Sequence, residues 1–158
     1  MSNAVPPIPP GFHSLTMHLS VVGAAKFLDF VKSAFGAEEV HRSPGPGGKI
    51  MHATVKIGDS LLMLGDDFSE EFHMPPPVRG NLPVTIHLYV PDAQATWDRA
   101  VAAGCEVKMP LADQFWGDRC GHLRDPFGFT WAIAQTVEIV TPEEAQARAA
   151  KQFGGGHS

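Results

Sequence analysis

The stretch Val84-Thr85-Ile86-His87-Leu88-Tyr89-Val90, followed by Pro91-Asp92 and a run of alanines up to Gly104, decides the fold. Val84, Ile86, Leu88 and Val90 alternate with Thr85, His87 and Tyr89. That is the two-residue period of a strand burying one face. Asp92 can cap a helix in which Ala93, Trp97, Ala100 and Val101 share a stripe, and Gly104 ends it. A short strand over 105–109, another over 119–124, the turn Asp125-Pro126-Phe127-Gly128 and a last strand over 129–134 complete the pattern. Residues 83–135 thus read as βαβββ.

Moving toward the N-terminus, the same order recurs over 15–65. Leu15, Met17, Leu19 and Val21 alternate with Thr16, His18 and Ser20. Phe27, Phe30, Val31, Ala34 and Phe35 form a helical stripe that Gly36 stops. A short strand over 38–43 and the loop Pro44-Gly45-Pro46-Gly47-Gly48 follow. Met51, Ala53, Val55 and Ile57 then alternate with His52, Thr54 and Lys56, and a fourth strand over 60–64 comes after the turn Gly58-Asp59. The halves also echo each other in residues: Ala34-Phe35-Gly36-Ala37-Glu38 stands where Ala102-Ala103-Gly104-Cys105-Glu106 stands in the second half.

Three segments lie outside the duplication. Residues 1–14 are a Pro-rich tail. Residues 66–82 contain Pro75-Pro76-Pro77 and Gly80, and read as an inter-module loop that can double as a lid. Over 141–158, Thr141 and Pro142 start a helix that gives way to a Gly-rich tail at Phe153. The expected class is α+β, with two βαβββ modules whose curved mixed sheets surround a cup, plus a C-terminal helix.

Composition narrows the function. With 44% apolar and 18% charged residues in 158, the chain can build a core. Its formal net charge of −5 and the lack of a basic run argue against nucleic acid. No stretch reaches membrane-spanning length, and the N-terminus lacks a signal-peptide pattern. With Cys105 and Cys120 the only cysteines, a reduced cytoplasmic setting is expected. Neither thiol has a neighbouring His or helix start that would activate it. No phosphate loop appears, since the glycines of 45–48 lack the Lys-Ser/Thr that would follow.

Opposite the apolar strand faces lie Thr16, His18, His52, Thr54, Thr85, His87, Thr130, Ala132 and Ala134. These are small or mildly polar rather than charged, which suits the wall of a ligand cavity. Met63 can line it or serve as core filler. Phe115 and Trp116 can roof it or pack their own loop. Arg119 can anchor an anionic ligand or pair with Asp113 or Asp118.

The run Asp113-Gln114-Phe115-Trp116-Gly117-Asp118-Arg119, with Leu123-Arg124-Asp125-Pro126-Phe127-Gly128 after it, resembles the second-module signature of the vicinal-oxygen-chelate superfamily. This superfamily comprises glyoxalases, bleomycin resistance proteins and extradiol dioxygenases. The likeness is greatest to its PhnB-like subgroup, and His87-Leu88-Tyr89-Val90 shares it. The resemblance implies a homodimer and, in metal-dependent members, a His or Gln on each module's first strand and a Glu on each last strand. Here those positions hold Thr16, Thr85, Ala132 and either Leu62 or Met63, which supply no useful metal ligands. His18 and His87 stand two residues beyond the vacant first-strand positions. With His52 they are either cavity-wall residues or an unorthodox three-imidazole site.

Two functions follow. In the first, the chain binds a small aromatic or amphipathic molecule in a metal-free cavity, with no cofactor and with itself as its only macromolecular partner. In the second, it is a lyase or dioxygenase that uses a divalent metal on His18 and His87. No residue can be named as catalytic. A methyltransferase has no support, because nothing resembles an S-adenosylmethionine site.

Overall fold

The structure, a computed structural model, describes residues 4–78 and 81–154. The outermost residues of both tails and residues 79–80 of the inter-module loop lie outside this range. The chain divides into two compact units, Met1–Val78 and Arg79–Ser158. Each is a βαβββ module, and the class is α+β.

In the first unit, β1 (His18–Val21) leads into α1 (Ala24–Phe35), then β2 (Glu38–Pro44), β3 (Ile50–Ile57) and β4 (Ser60–Asp66). The sheet order is β1-β4-β3-β2. β2, β3 and β4 run as an antiparallel meander, and β4 returns beside β1 in parallel, with His18 opposite Met63. The helix supplies the crossover that a parallel pair requires. Its buried stripe of Ala24, Phe27, Leu28, Phe30, Val31 and Ala34 packs on β3 and β4, where Ala53, Val55, Ile57, Leu62 and Leu64 are buried. Gly36 takes φ 66°, and its amide closes on Lys32 O, as read from the sequence.

The second unit repeats this with β5 (Thr85–Tyr89), α2 (Ala93–Ala102), β6 (Glu106–Asp113), β7 (Asp118–Arg124) and β8 (Thr130–Thr136), in the order β5-β8-β7-β6. Asp92 caps α2 by accepting from Ala95 N at 3.1 Å. Trp97 and Ala100 of α2 are buried, and so are Leu123, Trp131 and Ile133 of the sheet. α3 (Pro142–Gly154) begins where expected, with Glu144 N donating to Thr141 Oγ1. Among the described residues, no helix is long and apolar enough to cross a membrane.

Four expectations need correction. Leu15 is 91% exposed and Met17 37%, because β1 starts only at His18 and the residues before it have nothing to bury against. Val84 is exposed and Ile86 and Leu88 are only half-buried, because β5 is an edge strand and α2 packs chiefly on β8 and β6. β6 runs to Asp113 rather than stopping at Met109, since irregular pairing with β7 hides its period. β4 continues to Asp66 and so takes a carboxylate that reads as loop in the sequence.

Candidate functional site

Strand register fixes which residues share the sheet face away from each helix. In the first unit, His18 stands beside Met63, Met63 beside Thr54, and Thr54 beside His41, while His52 stands beside Ser43. His18, His52, His41, Met63 and Thr54 therefore lie on one face. The imidazoles of His18 and His52 stack with centroids 5.7 Å apart, and those of His41 and His52 are 6.4 Å apart. Burial lowers the pKa of His52 from its ordinary value, and the positive charges of His18 and His41 add to this. His52 Nε2 lies 3.2 Å from Thr54 Oγ1, and His41 Nε2 lies 2.7 Å from Ser43 Oγ. Thr16 lies just before β1, half-buried and outside the ladder.

In the second unit, His87 of β5 and His122 of β7 flank Ala132 of β8 in register. One step along, Tyr89 and Cys120 flank Ala134. The His87 and Tyr89 rings are 4.8 Å apart. Asp118 is 5% exposed and anchors this end of the face. Its Oδ2 accepts from Tyr89 Oη at 2.7 Å and from Trp116 Nε1 at 3.1 Å, and its Oδ1 accepts from Thr136 Oγ1 at 3.1 Å. The bond to the Asp118 carboxylate raises the Tyr89 pKa and keeps the phenol protonated. Burial likewise raises that of Cys120. Burial pushes the Cys105 thiol up to about 12, so neither cysteine is poised as a nucleophile.

The structure keeps Trp116 beside this face and sends Arg119 elsewhere. Trp116 is 39% exposed and is held through Asp118, and Phe115 meets it edge-on with centroids 5.0 Å apart. Phe115 also meets Phe153 of α3 at 6.0 Å. Arg119 takes the opposite register parity and donates from Nε to Asp113 Oδ1 at 2.8 Å, so the ion-pair alternative describes it. Thr85 shares the parity of His87 and is exposed on the edge strand.

Sequence reasoning missed His41, His122, Tyr89, Asp118 and Asp66. Tyr89 was within reach, since it alternates in phase with His87. His41 and His122 sit on strands where a register shift or a missing period hides the face. Asp66 carried no signal. Its Oδ1 accepts from Gly23 N and Ala24 N at the start of α1, and its Oδ2 accepts from Ile50 N at 2.7 Å.

The donor set does not fit a metal. Among the described residues, no group of three or more His, Cys, Asp or Glu is placed to hold an ion. Of the imidazoles of His18, His41 and His52, those of His41 and His52 have Nε2 against a hydroxyl of their own strand. The carboxylates of Asp66 and Asp118 are each taken by three donors. The last-strand positions hold Met63, Ala132 and their neighbours, with no carboxylate pointing from them.

Comparison with known proteins gives a consistent family assignment. Residues 12–133 match the family described as the Glyoxalase/Bleomycin resistance protein/Dioxygenase superfamily. An uncharacterised protein of Mycobacterium bovis is 43% identical over 145 residues, covering 90% of this chain and 95% of that protein. The X-ray structure of an Arabidopsis thaliana gene product is similar with a TM-score of 0.62 and 27% identity, covering 78% of this chain and 98% of that one. The fosfomycin resistance protein FosX of Listeria monocytogenes has a TM-score of 0.62 at 17% identity, covering 84% and 97%, a likeness of fold alone.

Proposed function

The chain belongs to the Glyoxalase/Bleomycin resistance protein/Dioxygenase superfamily, and on that premise we propose that it is a metal-free binding protein for a small aromatic or amphipathic molecule. The observation that carries this is the second unit's sheet face, where His87 and His122 stand either side of Ala132. A carboxylate at Ala132 would make that row a ligand set. Ala132 instead places a fully buried methyl group in register between the two imidazoles, so the row offers no carboxylate ligand. Tyr89 and Trp116, both tied to Asp118, add fixed aromatic surface beside it. Rigid aromatic walls with a few hydrogen-bonding tips suit a planar ligand with one polar edge.

His18, His52, Met63 and Thr54 give the first unit a face of the same chemical kind. Thr16 and Thr85 contribute hydroxyls at the strand starts. The PhnB-like assignment, a cytoplasmic location and self-association as a homodimer belong to the same proposal. Support for the dimer comes from β2, whose residues are nearly all exposed along an open sheet edge.

The test is thermal unfolding with a panel of aromatic acids, phenols and amphipathic drugs, with and without EDTA. A ligand at 100 times its Kd stabilises by about 2.7 kcal/mol. The expected result is a rise in Tm that survives EDTA and is lost in His87→Ala. A rise that EDTA abolishes contradicts the proposal and favours the metal-dependent lyase or dioxygenase.

A further inference from the structure

The second unit's sheet face carries a guanidinium that its own chain leaves half used. Arg124 of β7 has the same parity as His122 and Cys120, so it lies on the face away from α2. It stands in a row with Thr130 of β8 and Thr85 of β5. The row of His87, Ala132 and His122 comes next, two residues and roughly 7 Å along the strands.

Other arginines of the chain show what this group ordinarily does. Arg42 and Arg119 each turn the Nε–Nη2 edge onto one carboxylate, those of Glu39 and Asp113. In Arg124 the same edge is only half filled. Its Nη2 donates to the neutral Oδ1 of Asn81 at 3.0 Å, and its Nε is buried with no hydrogen-bond partner. A charged donor shut away from water and left unpaired is costly. Glu106 stands beside Arg124 in register, but its carboxylate bonds Lys108 Nζ at 2.8 Å and reaches Arg124 only through space. Asp118 shares the face but accepts three bonds of its own. It lies six residues away along β7, roughly 20 Å, beyond the ~8 Å screening length at physiological ionic strength. The Arg124 end of the face therefore lacks an anion of its own.

We propose that Arg124 makes the ligand of this face an aryl carboxylate. The proposal rests on the binding function proposed above and assigns the ligand's polar edge. The aryl group packs on the His87–His122 row, and the carboxylate takes the Nε–Nη2 edge of Arg124, displacing Asn81 Oδ1. Two charge-assisted bonds then replace one bond to a neutral amide oxygen, and the unpaired Nε gains its acceptor. Thr130, directly opposite Arg124, offers a hydroxyl donor to the same group.

The test is an NMR titration of the ¹⁵N-labelled full chain at low salt, with 3-phenylpropionate and its neutral isostere 3-phenylpropanamide. The anion is expected to shift amides of residues 85–87, 122–124 and 130–132 saturably and to bind at least fivefold more tightly than the amide. Arg124→Gln should remove that preference. Asn81 is exposed and holds a left-handed φ of 37°. Asn81→Gly keeps that conformation open, removes the competing oxygen and should widen the preference at least twofold. If Arg124→Gln does not fold, the Asn81→Gly arm decides. Equal binding of anion and amide, an unchanged preference in Arg124→Gln, or no widening in Asn81→Gly would overturn the proposal while leaving the face a binding site. No saturable shift with either compound would overturn it and count against the binding function as well.

Discussion

Asp125 shows how much one side chain holds in place. It is 4% exposed, and its Oδ1 accepts from Phe127 N at 2.8 Å and Phe129 N at 3.0 Å while Oδ2 accepts from Trp131 Nε1 at 2.8 Å. The turn Asp125-Pro126-Phe127-Gly128 was legible in the sequence, but the bond to the core tryptophan was not, because it depends on β8 folding back over the turn. Asp125→Ala leaves three donors without their acceptor and should cost about 3 kcal/mol in urea unfolding. Burial raises the Asp125 pKa above its ordinary 3.8 despite these bonds. A raised carboxyl favours folding while protonated, below pH 3.8, and that contribution is lost as pH rises through the folded pKa. His87 is the contrasting residue, exposed and on the face away from α2. His87→Ala should cost under about 1 kcal/mol, and Leu123→Ala, which empties a fully buried site, about 3. Equal losses in urea unfolding would show that His87 is structural.

At the scale of elements, Glu39 ties β2 to α1. It bonds Lys32 Nζ at 2.9 Å, Arg42 Nη2 at 2.8 Å and Arg42 Nε at 3.1 Å. The hydrogen bond from Arg42, then that from Lys32, lowers its pKa from 4.5 to about 2. A lowered carboxylate pKa contributes stability that is present above pH 4.5 and lost as pH falls toward 2. Glu39→Gln should therefore flatten the stability–pH curve between those values, measured by urea midpoints. An unchanged slope would mean the exposed pair is screened to nothing. Gly121 governs the other module. A Cβ there would lie 2.6 Å from Trp97 Cζ3 and 2.8 Å from Leu111 N, so the bare backbone of β7 is what lets α2 approach. Gly121→Ala should destabilise by roughly 1–3 kcal/mol through overpacking. Helix boundaries were legible because Gly36 and Asp92 are local signals. The phases of β2, β6 and β7 were not, because their pairing shifts register within the strand, and alternation carries no trace of that. This is why His18, His52 and His87 could be named from sequence while His41 and His122 could not.

At the scale of the whole molecule, the duplication was legible because two βαβββ runs repeat both period and turn residues, and the family match spans both. Less of the site was legible. Arg119 and Trp116 differ in fate only through the parity of β7 and one bond to Asp118, neither of which residue type encodes. Exposed sheet edges predict self-association. Light scattering should give twice the 17.0 kDa chain mass, and a concentration-independent monomer would count against it. On the proposed function, this superfamily member binds its ligand without a metal. The most direct measurement is elemental analysis of untagged protein, as purified and after incubation with zinc, nickel and manganese followed by desalting. Well under one equivalent of any metal is expected, with or without incubation. One tightly held equivalent per chain that disappears in the His18→Ala, His87→Ala double variant would contradict it.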